Sequence, residues 1–365
     1  MEDNISAGKA ESLTISNRSN IGAMLWIGFY TVLLNLLTLT VFRFWGRTHF
    51  RRRLWSDTSV CDEPLQYTGR GLELFIGFVI AIFTFMAPFV GAVLAAQILL
   101  GPEGFVIVFI PLYLLLFILI GVAIFLARRY HLSRTRLRGI RFAQTGSAIG
   151  YGLATFGYGL LTAITLGWFG PEARIRLSRK LWSKAYFGSL PFQFEDTPEA
   201  LAEPVYKSFA FAWAGTLVAY FIWIGAIMAT GAAEGFGDSP TMDPEAIAYL
   251  YLSFIPLALV IGVFASWHEA VMIRRIVKSL RVGDARLTSR IGLWDILELS
   301  ITNTLLIIFT LGFGYMASQM RVWKRIANRM ALEGEIDFEA IRQSDVEAPS
   351  QGEGLADGLD IISNF

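Results

Sequence analysis

The feature that most restricts the fold of this chain is an internal repeat that aligns without a gap. The stretch from Leu36 to Tyr67 matches the stretch from Ala163 to Phe194 at a constant offset of 127 residues. Identical matched positions include Thr38 and Thr165, Arg47 and Arg174, Arg52 and Arg179, and the Leu-Trp-Ser triplets beginning at Leu54 and Leu181. Such self-similarity indicates a chain built from copies of one supersecondary unit.

The composition places these units in a membrane. The chain is 54% hydrophobic and only 17% charged, which is too apolar for a soluble domain of 365 residues. Its one cysteine, Cys61, excludes an internal disulfide and a cysteine-rich metal site. The first 20 residues are polar and lack a signal-peptide pattern, so we expect them to be retained.

Seven apolar stretches are close to the roughly 20 helical residues that cross a bilayer. They are Ile21–Phe42, Leu74–Ala96, Phe105–Ala127, Ile149–Phe169, Phe209–Thr230, Ala246–Trp267 and Ile296–Met316. The second, third, fifth and sixth are the most hydrophobic, and these four are predicted to span the membrane.

Charge sorts the connecting segments into two groups. All 31 Lys and Arg residues fall in the N-terminal tail or in the five segments 43–70, 128–146, 170–207, 268–295 and 319–342. The two other connections, Gly101–Gly104 and Gly231–Glu245, contain acidic residues only. By the positive-inside rule, the basic segments and both termini are expected in the cytoplasm and the acidic loops outside.

Each basic segment contains or leads into two short β-prone runs around a turn. Four of the five turns carry a glycine, at Gly139, Gly188, Gly283 and Gly334, which supplies the positive φ of a tight hairpin. The runs form either one cytoplasmic β layer or five independent surface turns, and the sequence leaves both interpretations open.

The units alternate as A-B-A-B-A, where A is a Thr-rich apolar segment with a basic helix and B is a pair of spanning helices. The third A unit is looser and needs an inserted residue to align. The predicted fold is an all-α integral membrane protein with about seven apolar helical segments and short cytoplasmic β-hairpins. Its predicted parts are a polar tail at 1–20, one membrane domain at 21–340 and an acidic, disordered tail at 341–365; the repeat units are about 21–70, 71–146, 147–196, 204–290 and 291–340.

The A segments raise a problem of topology. A single crossing by Ile149–Phe169 or Ile296–Met316 would place a basic segment outside, so either the charge rule fails at these two points or the A segments are re-entrant or lie along the membrane. Each carries a stripe of small or polar residues, which is typical either of close helix packing or of a surface that lines a solute path. The candidate solute-lining residues are Asn35, Thr38, Thr162, Thr165, Glu298, Thr302 and Asn303.

Catalytic and metal motifs do not emerge from the sequence. His268-Glu269 begins like a zinc-protease motif, but Met272 stands where the second histidine is required. We therefore predict that the protein is not an enzyme and uses no cofactor or metal.

The basic helices also carry tryptophan, a combination typical of the lipid headgroup level. Anionic lipid is the expected partner, each basic charge contributing about 1 kcal/mol near the surface, and nucleic acid is not expected. The residues of this predicted interface are Arg47, Arg51, Arg52, Arg53, Trp55, Arg174, Arg179, Lys180 and Trp182.

The first repeat carries a resemblance to a known family. Thr38-Leu39-Thr40, Phe44-Trp45-Gly46-Arg47 and the stretch from Tyr67 to Leu74 resemble the YjgN family of bacterial inner-membrane proteins, a domain family of unknown function. Thr40 departs from the usual glycine, which Gly167 and Gly312 keep. The resemblance implies a location in the bacterial cytoplasmic membrane and no specific activity.

Two hypotheses of function follow. The first is a small-solute or ion transporter or channel, because transport folds often combine internal repeats with broken helices. The second is a non-transporting membrane-organising or scaffold protein that holds anionic lipid or a partner on its basic face. Another membrane protein or a second copy of the chain is a further expected partner.

Overall fold

The computed structural model describes residues 13–229 and 244–346. Its helices are α1 (Ile21–Leu37), α2 (Arg43–Ser56), α3 (Gly71–Ala81), α4 (Ala87–Arg134), α5 (Ala148–Ile164), α6 (Gly170–Trp182), α7 (Pro198–Leu201), α8 (Val205–Ala229), α9 (Pro244–Val277), α10 (Leu293–Phe309) and α11 (Tyr315–Asn328). A π-helical turn, Ile82–Met86, joins α3 to α4. The strands are β1 (Leu13–Asn17), β2 (Thr58–Val60), β3 (Glu63–Pro64), β4 (Gln66–Tyr67), β5 (Thr135–Leu137), β6 (Ile140–Gln144), β7 (Ala185–Phe187), β8 (Leu190–Phe194), β9 (Leu280–Val282), β10 (Ala285–Ser289) and β11 (Met330–Glu333).

All eleven strands belong to one antiparallel sheet that the chain closes into a ring. The strand order is β3-β2-β1-β11-β10-β9-β8-β7-β6-β5-β4. The two end strands, β3 and β4, are consecutive in the chain and separated by Leu65 alone, so they are the two halves of one extended segment. The first half pairs with β2 and the second half with β5. The sheet is therefore a small barrel in which no long edge is left open.

The connections divide between the two rims of this barrel. Strands that follow each other in the chain are sheet neighbours and antiparallel, so successive connections alternate from rim to rim. Tight turns join β2 to β3, β5 to β6, β7 to β8 and β9 to β10 at one rim, which we call the turn rim. The five helical connections all leave and return at the opposite rim, the helix rim.

The barrel interior is filled by apolar side chains. Residues opposite each other in the ladders share a face, as in the pairs Phe142–Phe187, Phe192–Val282 and Leu287–Leu332. Two buried clusters occupy this face, centred on Leu280, Val282, Ala285, Leu287 and Leu332 and on Leu65, Leu137, Phe187 and Ile341. The opposite face carries charged residues, for example Arg136 opposite Arg141. This alternation is the period-two pattern of a half-buried sheet.

The three A units are helical hairpins of identical length. In each, 17 residues of apolar helix (α1, α5 or α10) end at a threonine, and the first strand residue follows 20 positions after that threonine. The threonines are Thr38, Thr165 and Thr310. The predicted inserted residue of the third unit lies after this point, because β11 has four residues before its turn glycine, Gly334, whereas β7 has three before Gly188.

The two B units contain the longest helices. Four helices are long and apolar enough to cross a membrane: Gly71–Gly101, Gly104–Arg134, Pro198–Ala229 and Tyr251–Val277. They coincide with the four stretches predicted to span. Within the first B unit the chain reverses at Gly101, whose φ of +67° a glycine adopts without strain. The helices of neighbouring units pack together, and α11 contacts α1, so the helical layer follows the strand order around the ring.

The chain beyond β11 crosses the turn rim. The N–H of Ser189 donates to the carbonyl of Arg342 (3.0 Å), and the Gln343 side chain bonds to the backbones of Arg141 and Gly139. Phe338 and Ile341 pack on the cluster around Leu137 and Phe187. The first six residues of the predicted tail, 341–346, thus lie against the barrel, and 347–365 lie outside the described residues. Likewise β1 lies within the predicted N-terminal tail, of which residues 1–12 lie outside the described residues.

The prediction of an all-α protein with seven apolar helical segments is wrong. The protein is mainly helical but is built on an eleven-stranded near-barrel, with four helices of spanning length. The remaining apolar stretches are the 17-residue helices of the A units. Of the two interpretations of the β-prone runs, the single layer is correct. The fifth run forms one strand, β11, because the residues after Gly334 leave the sheet.

Candidate functional site

The predicted solute-lining threonines at the hairpin tips hold the turn together. Thr38 Oγ1 donates to the carbonyl of Leu34 (2.7 Å) and accepts from the N–H of Phe42 (3.0 Å). Thr165 makes the same pair of bonds, to Leu161 (2.8 Å) and from Phe169 (2.9 Å). Each hydroxyl thus gives an acceptor to an N–H at the start of the next helix, and it donates to a carbonyl that also accepts the threonine's own N–H. These two residues therefore have a structural role in the turn.

A leucine projects from each of the three tips. Leu39, Leu166 and Leu311 have φ values of 49°, 50° and 50°, and their exposed fractions are 86%, 74% and 86%. A positive φ is unfavourable for a leucine, so its recurrence means that the turn geometry is imposed by the surrounding bonds. Three equivalent apolar tips thus point away from the helix layer.

The polar stripe of α10 packs on the basic helix α11. Arg321 donates to Asn303 Oδ1 (3.0 Å) and to Thr302 Oγ1 (2.8 Å). Asn303 is buried, and its amide also reaches the carbonyl of Ser318 (3.5 Å). The structure therefore brings Thr302 and Asn303 together, but against an arginine of the same hairpin.

Two carboxylates of α10 share the next arginine along α11. Arg325 bonds to Asp295 (2.8 Å) and to Glu298 (2.8 Å), and Arg329 bonds to Asp295 (3.0 Å). The side chain of Asp295 is 8% exposed, whereas that of Glu298 is 51% exposed. Burial raises the pKa of Asp295, but the N–H of Gly292 and the guanidinium of Arg325 outweigh burial and hold that pKa below its usual value. Asp295 therefore anchors the hairpin, and Glu298 lies at its surface.

The two other predicted lining residues lie on α1 and α5. Thr162 donates to the carbonyl of Tyr158 (2.7 Å) within its own helix. Asn35 Oδ1 is buried and finds no hydrogen-bond partner among the described residues, as does Thr31 Oγ1 one turn earlier. The predicted lining residues are thus distributed over three separate hairpins. Within one hairpin, the Thr165 hydroxyl donates to the carbonyl of Thr162 (3.3 Å). In another, the Thr302 hydroxyl donates to the carbonyl of Glu298 (2.6 Å), and Thr302 and Asn303 share Arg321.

The predicted basic interface of α2 is partly engaged with the barrel. Arg52 donates to the carbonyl of Gly69 (2.8 Å), and Arg53 pairs with Asp57 (3.1 Å). Trp55 donates to Thr135 Oγ1 (3.0 Å) and stacks on Trp323, with ring centroids 5.6 Å apart. Trp55 is therefore a packing residue at the helix rim; Arg47 and Arg51 are half-buried on the same helix.

The equivalent residues of α6 contact the second B unit. Arg174 forms a two-bond ion pair with Glu269 (2.6 Å each), and Arg179 pairs with Asp196 (2.5 Å). Trp182 packs on Phe192 and lies under the guanidinium of Arg128, 4.2 Å from the ring centroid. Lys180 is exposed.

Sequence reasoning missed the carboxylates of the β8–α8 connection. Asp196 also accepts from Arg275 (2.6 Å), and Glu203, 7% exposed, binds Arg274 and Lys278. The bond from Arg275 is the main reason that the pKa of Asp196 lies below its usual value. No periodicity in the sequence marks these pairings, since their partners lie 71 to 79 residues away. They join the second A unit and the second B unit at the helix rim.

Together these groups form a layer at the helix rim in which arginines and lysines outnumber the carboxylates beside them. Two open recesses adjoin this layer on α11 and share Arg321 and Lys324. Within the described ranges, no group of three His, Cys, Asp or Glu side chains is arranged to hold a metal ion. An excess of positive charge of this kind attracts anions.

Comparison with known proteins gives one match. A family model described as "Bacterial protein of unknown function (DUF898)" matches residues 18–358. No curated protein and no solved structure matches the chain. The matched range contains all five helical units and every described strand except β1, which ends at Asn17.

Proposed function

The chain belongs to this family of bacterial proteins of unknown function (DUF898), and from that premise we propose that it organises the bacterial inner membrane by holding anionic lipid on a basic cytoplasmic layer. The observation that carries the proposal is that all five helical units start and end at one rim of one barrel. Every basic helix therefore returns to the same level. The resemblance to the YjgN family fits the same location.

The charges supply an orientation for this arrangement. Basic residues cluster at the helix rim, and the connection between the helices of the first B unit, 101–104, contains only Glu103. In the proposed orientation the barrel is cytoplasmic and the four long helices cross the membrane. Both described ends of the chain, β1 and the segment after β11, then lie on the cytoplasmic side.

The A units are proposed to be re-entrant. A helix of 17 residues is about 25 Å long, whereas one of 31 residues is about 46 Å long, so the A tips stop roughly 20 Å short of the far ends of the first B unit. At that depth the exposed leucines of the tips lie in the hydrocarbon region, which is about 30 Å thick. An apolar tip is compatible with lipid and gives no reason for the hairpin to emerge on the outer side.

Cysteine labelling tests this topology. In a Cys61→Ser background, Lys184→Cys follows the second A unit, Arg18→Cys precedes the first, and Asp238→Cys lies in the acidic loop of the second B unit. A membrane-impermeant maleimide should label only Asp238→Cys in intact cells and should reach the other two after permeabilisation. Labelling of Lys184→Cys from outside would mean that an A unit crosses the membrane.

Lipid binding is tested by native mass spectrometry of the protein in mild detergent. Titration with phosphatidylglycerol should give several-fold tighter binding than phosphatidylcholine with the same acyl chains, and added salt should reduce the difference. Lys180→Ala and Arg53→Ala should each weaken the preference about fivefold. Arg286→Ala, on the outer barrel wall near the turn rim, is the matched control and should have no effect. Equal binding of the two lipids would overturn the proposal.

Transport is the second candidate, and one observation favours it. Thr31 Oγ1 and Asn35 Oδ1 are buried polar atoms on α1 without a partner among the described residues, and such groups at membrane depth often mark a pathway. Proteoliposomes loaded with the pH-sensitive dye pyranine would report a proton flux, or a potassium flux that is coupled to protons. A flux that is lost in Asn35→Leu and Glu298→Gln would replace the scaffold proposal by transport.

A further inference from the structure

The recess between the start of α1 and the helix α11 differs from the rest of the basic layer in its lack of counter-charges. It has a volume of about 510 Å³ and is lined by Arg18, Ser19, Asn20, Ile21, Met320, Arg321 and Lys324. No carboxylate belongs to this lining. Most other arginines described above are paired with an acidic side chain, so the positive charge here is concentrated.

The bonds of the three basic residues leave their charge uncompensated. Arg321 donates to the neutral side chains of Thr302 and Asn303, and Lys324 Nζ donates to the carbonyl of Ser19 (2.8 Å). The side chain of Arg18 is exposed and has no ion-pair partner among the described residues. Three positive charges on one open recess attract a group that carries negative charge on several oxygens.

The recess also contains a buried hydrogen-bond donor, next to the start of a helix. Ser19 is 2% exposed, lines the recess, and its Oγ has no partner among the described residues. The first turn of α1 follows directly; Asn20 caps the N–H of Gly22 (2.7 Å), and the dipole of the 17-residue helix adds partial positive charge at this end. A buried hydroxyl without a partner costs free energy that an anion accepting its hydrogen bond would recover.

The frame around the recess is held by reciprocal bonds. The N–H of Asn17 donates to Asn328 Oδ1 (2.7 Å), and the Asn328 amide donates to the carbonyl of Asn17 (3.4 Å). These bonds and that of Lys324 tie the β1–α1 link to α11. The recess therefore joins the first and last A units, which are 311 residues apart at the Asn17–Asn328 pair.

The side of the recess toward the helices is apolar. Ile21 and Met320 complete its lining, and the exposed side chain of Phe29 lies about two turns farther along α1. A polar floor with an apolar wall matches a molecule that has a charged head and a hydrocarbon tail.

We propose that this recess binds the phosphate of one anionic lipid headgroup, with an acyl chain along α1. The proposal rests on the lipid-binding function proposed above and names its most specific site. The basic helices elsewhere hold lipid through general charge, whereas Arg18, Ser19, Arg321 and Lys324 surround one phosphate.

The test compares variants that spare the hairpin contacts. Arg18→Ala removes an exposed side chain with no described partner, and Arg18→Ala/Lys324→Met removes two charges. In native mass spectrometry, the tightest phosphatidylglycerol should bind about fivefold more weakly to the single variant and about 25-fold more weakly to the double variant. Arg286→Ala should bind as the wild type does, and thermal unfolding in detergent checks that each variant is folded.

A photoactivatable phosphatidylglycerol gives an independent readout, because it should crosslink to peptides containing Ile21 or Met320. If both variants keep wild-type affinity while the preference over phosphatidylcholine persists, the recess is not the site, although the general proposal stands. If the wild-type protein itself shows no preference for phosphatidylglycerol over phosphatidylcholine, the general proposal is overturned instead. Titration with inorganic phosphate separates the sources: if phosphate binds in an Arg18-dependent way and does not compete with the lipid, the ligand is a free phosphate and the lipid assignment is wrong.

Discussion

Asp295 and Glu298 allow the energetics of the third A hairpin to be tested with two carboxylates that share one arginine. We expect Asp295→Asn to lower the free energy of unfolding by about 2 kcal/mol, because the loss of a nearly buried carboxylate leaves Arg325 with Glu298 alone, while the partial exposure of both arginines screens part of the effect. Asp295 is 8% exposed and contacts two arginines, so both lose their shared partner. Glu298→Gln should cost at most about 1 kcal/mol, since its side chain is 51% exposed and its pair is screened by water.

The loss of stability in Asp295→Asn should also depend on pH in a definite direction. Because the pKa of Asp295 is depressed in the folded protein, its contribution to stability is present above the pKa of an unfolded aspartate, about 3.9, and is lost as the pH falls through the lower folded value. The difference between wild type and Asp295→Asn should therefore be constant from pH 7 to about pH 5 and shrink below about pH 4.

The assay is unfolding of the detergent-solubilised protein by SDS or heat, followed by circular dichroism at pH 7, 5 and 3.5. The ratio of the two effects is the informative quantity, because both variants remove one charge beside Arg325. Equal losses in the two variants, or a loss in Asp295→Asn that does not change with pH, would refute the argument from burial.

Two further predictions concern the hairpin turn and the turn rim. Thr165→Val should lower the free energy of unfolding by about 1–2 kcal/mol in the same assay, because the turn loses the hydroxyl bonds to Leu161 and from Phe169. Thr216→Val is the control, because its hydroxyl bonds only within its own helix. An equal loss in the control would contradict a special role of the turn. Ile341→Ala should lower the free energy of unfolding by about 2 kcal/mol and speed proteolysis after Gly334, since its buried side chain packs on the barrel interior. Glu339→Ala, at an exposed position, is the control. Unchanged proteolysis of Ile341→Ala would show that this side chain does not fix the segment to the barrel.

The positions of the long helices and of the hairpin turns could be predicted from the sequence. The four long apolar stretches correspond to the four helices of spanning length, because hydrophobicity over about 20 residues is a property of the local sequence. The recurring Thr-Leu dipeptide, followed by glycine in the second and third copies and by Thr40 in the first, lies at the three turns that reverse the A hairpins. Glycines at the tight turns also follow from local backbone preference, as the positive φ of Gly139, Gly188 and Gly283 shows.

The roles of the candidate residues were harder to predict. Thr38, Thr302 and Asn303 lie on the polar stripes that the sequence indicated, but a stripe looks the same whether it faces a solute or a second helix. Only the position of α11 decides that Arg321 contacts Thr302 and Asn303. The same holds for Trp55, whose sequence context indicated a lipid interface and which stacks on Trp323, 268 residues later.

The sequence by itself indicated a membrane protein, the alternation of A and B units, and the separation of basic from acidic connecting segments. Each of these features can be recognised from residues that lie close together in the chain. The tertiary structure decided that eleven strands form one ring. Strands of two to five residues carry too little alternation to indicate their partners, and the ladder bonds of β1 with β11 join residues more than 300 positions apart. The closing position of Leu65 and the recess that Arg18 and Lys324 both line have the same origin, since closure brings the first and last units together. The fold of each unit is local, and the recess between the first and last units exists only in the closed ring.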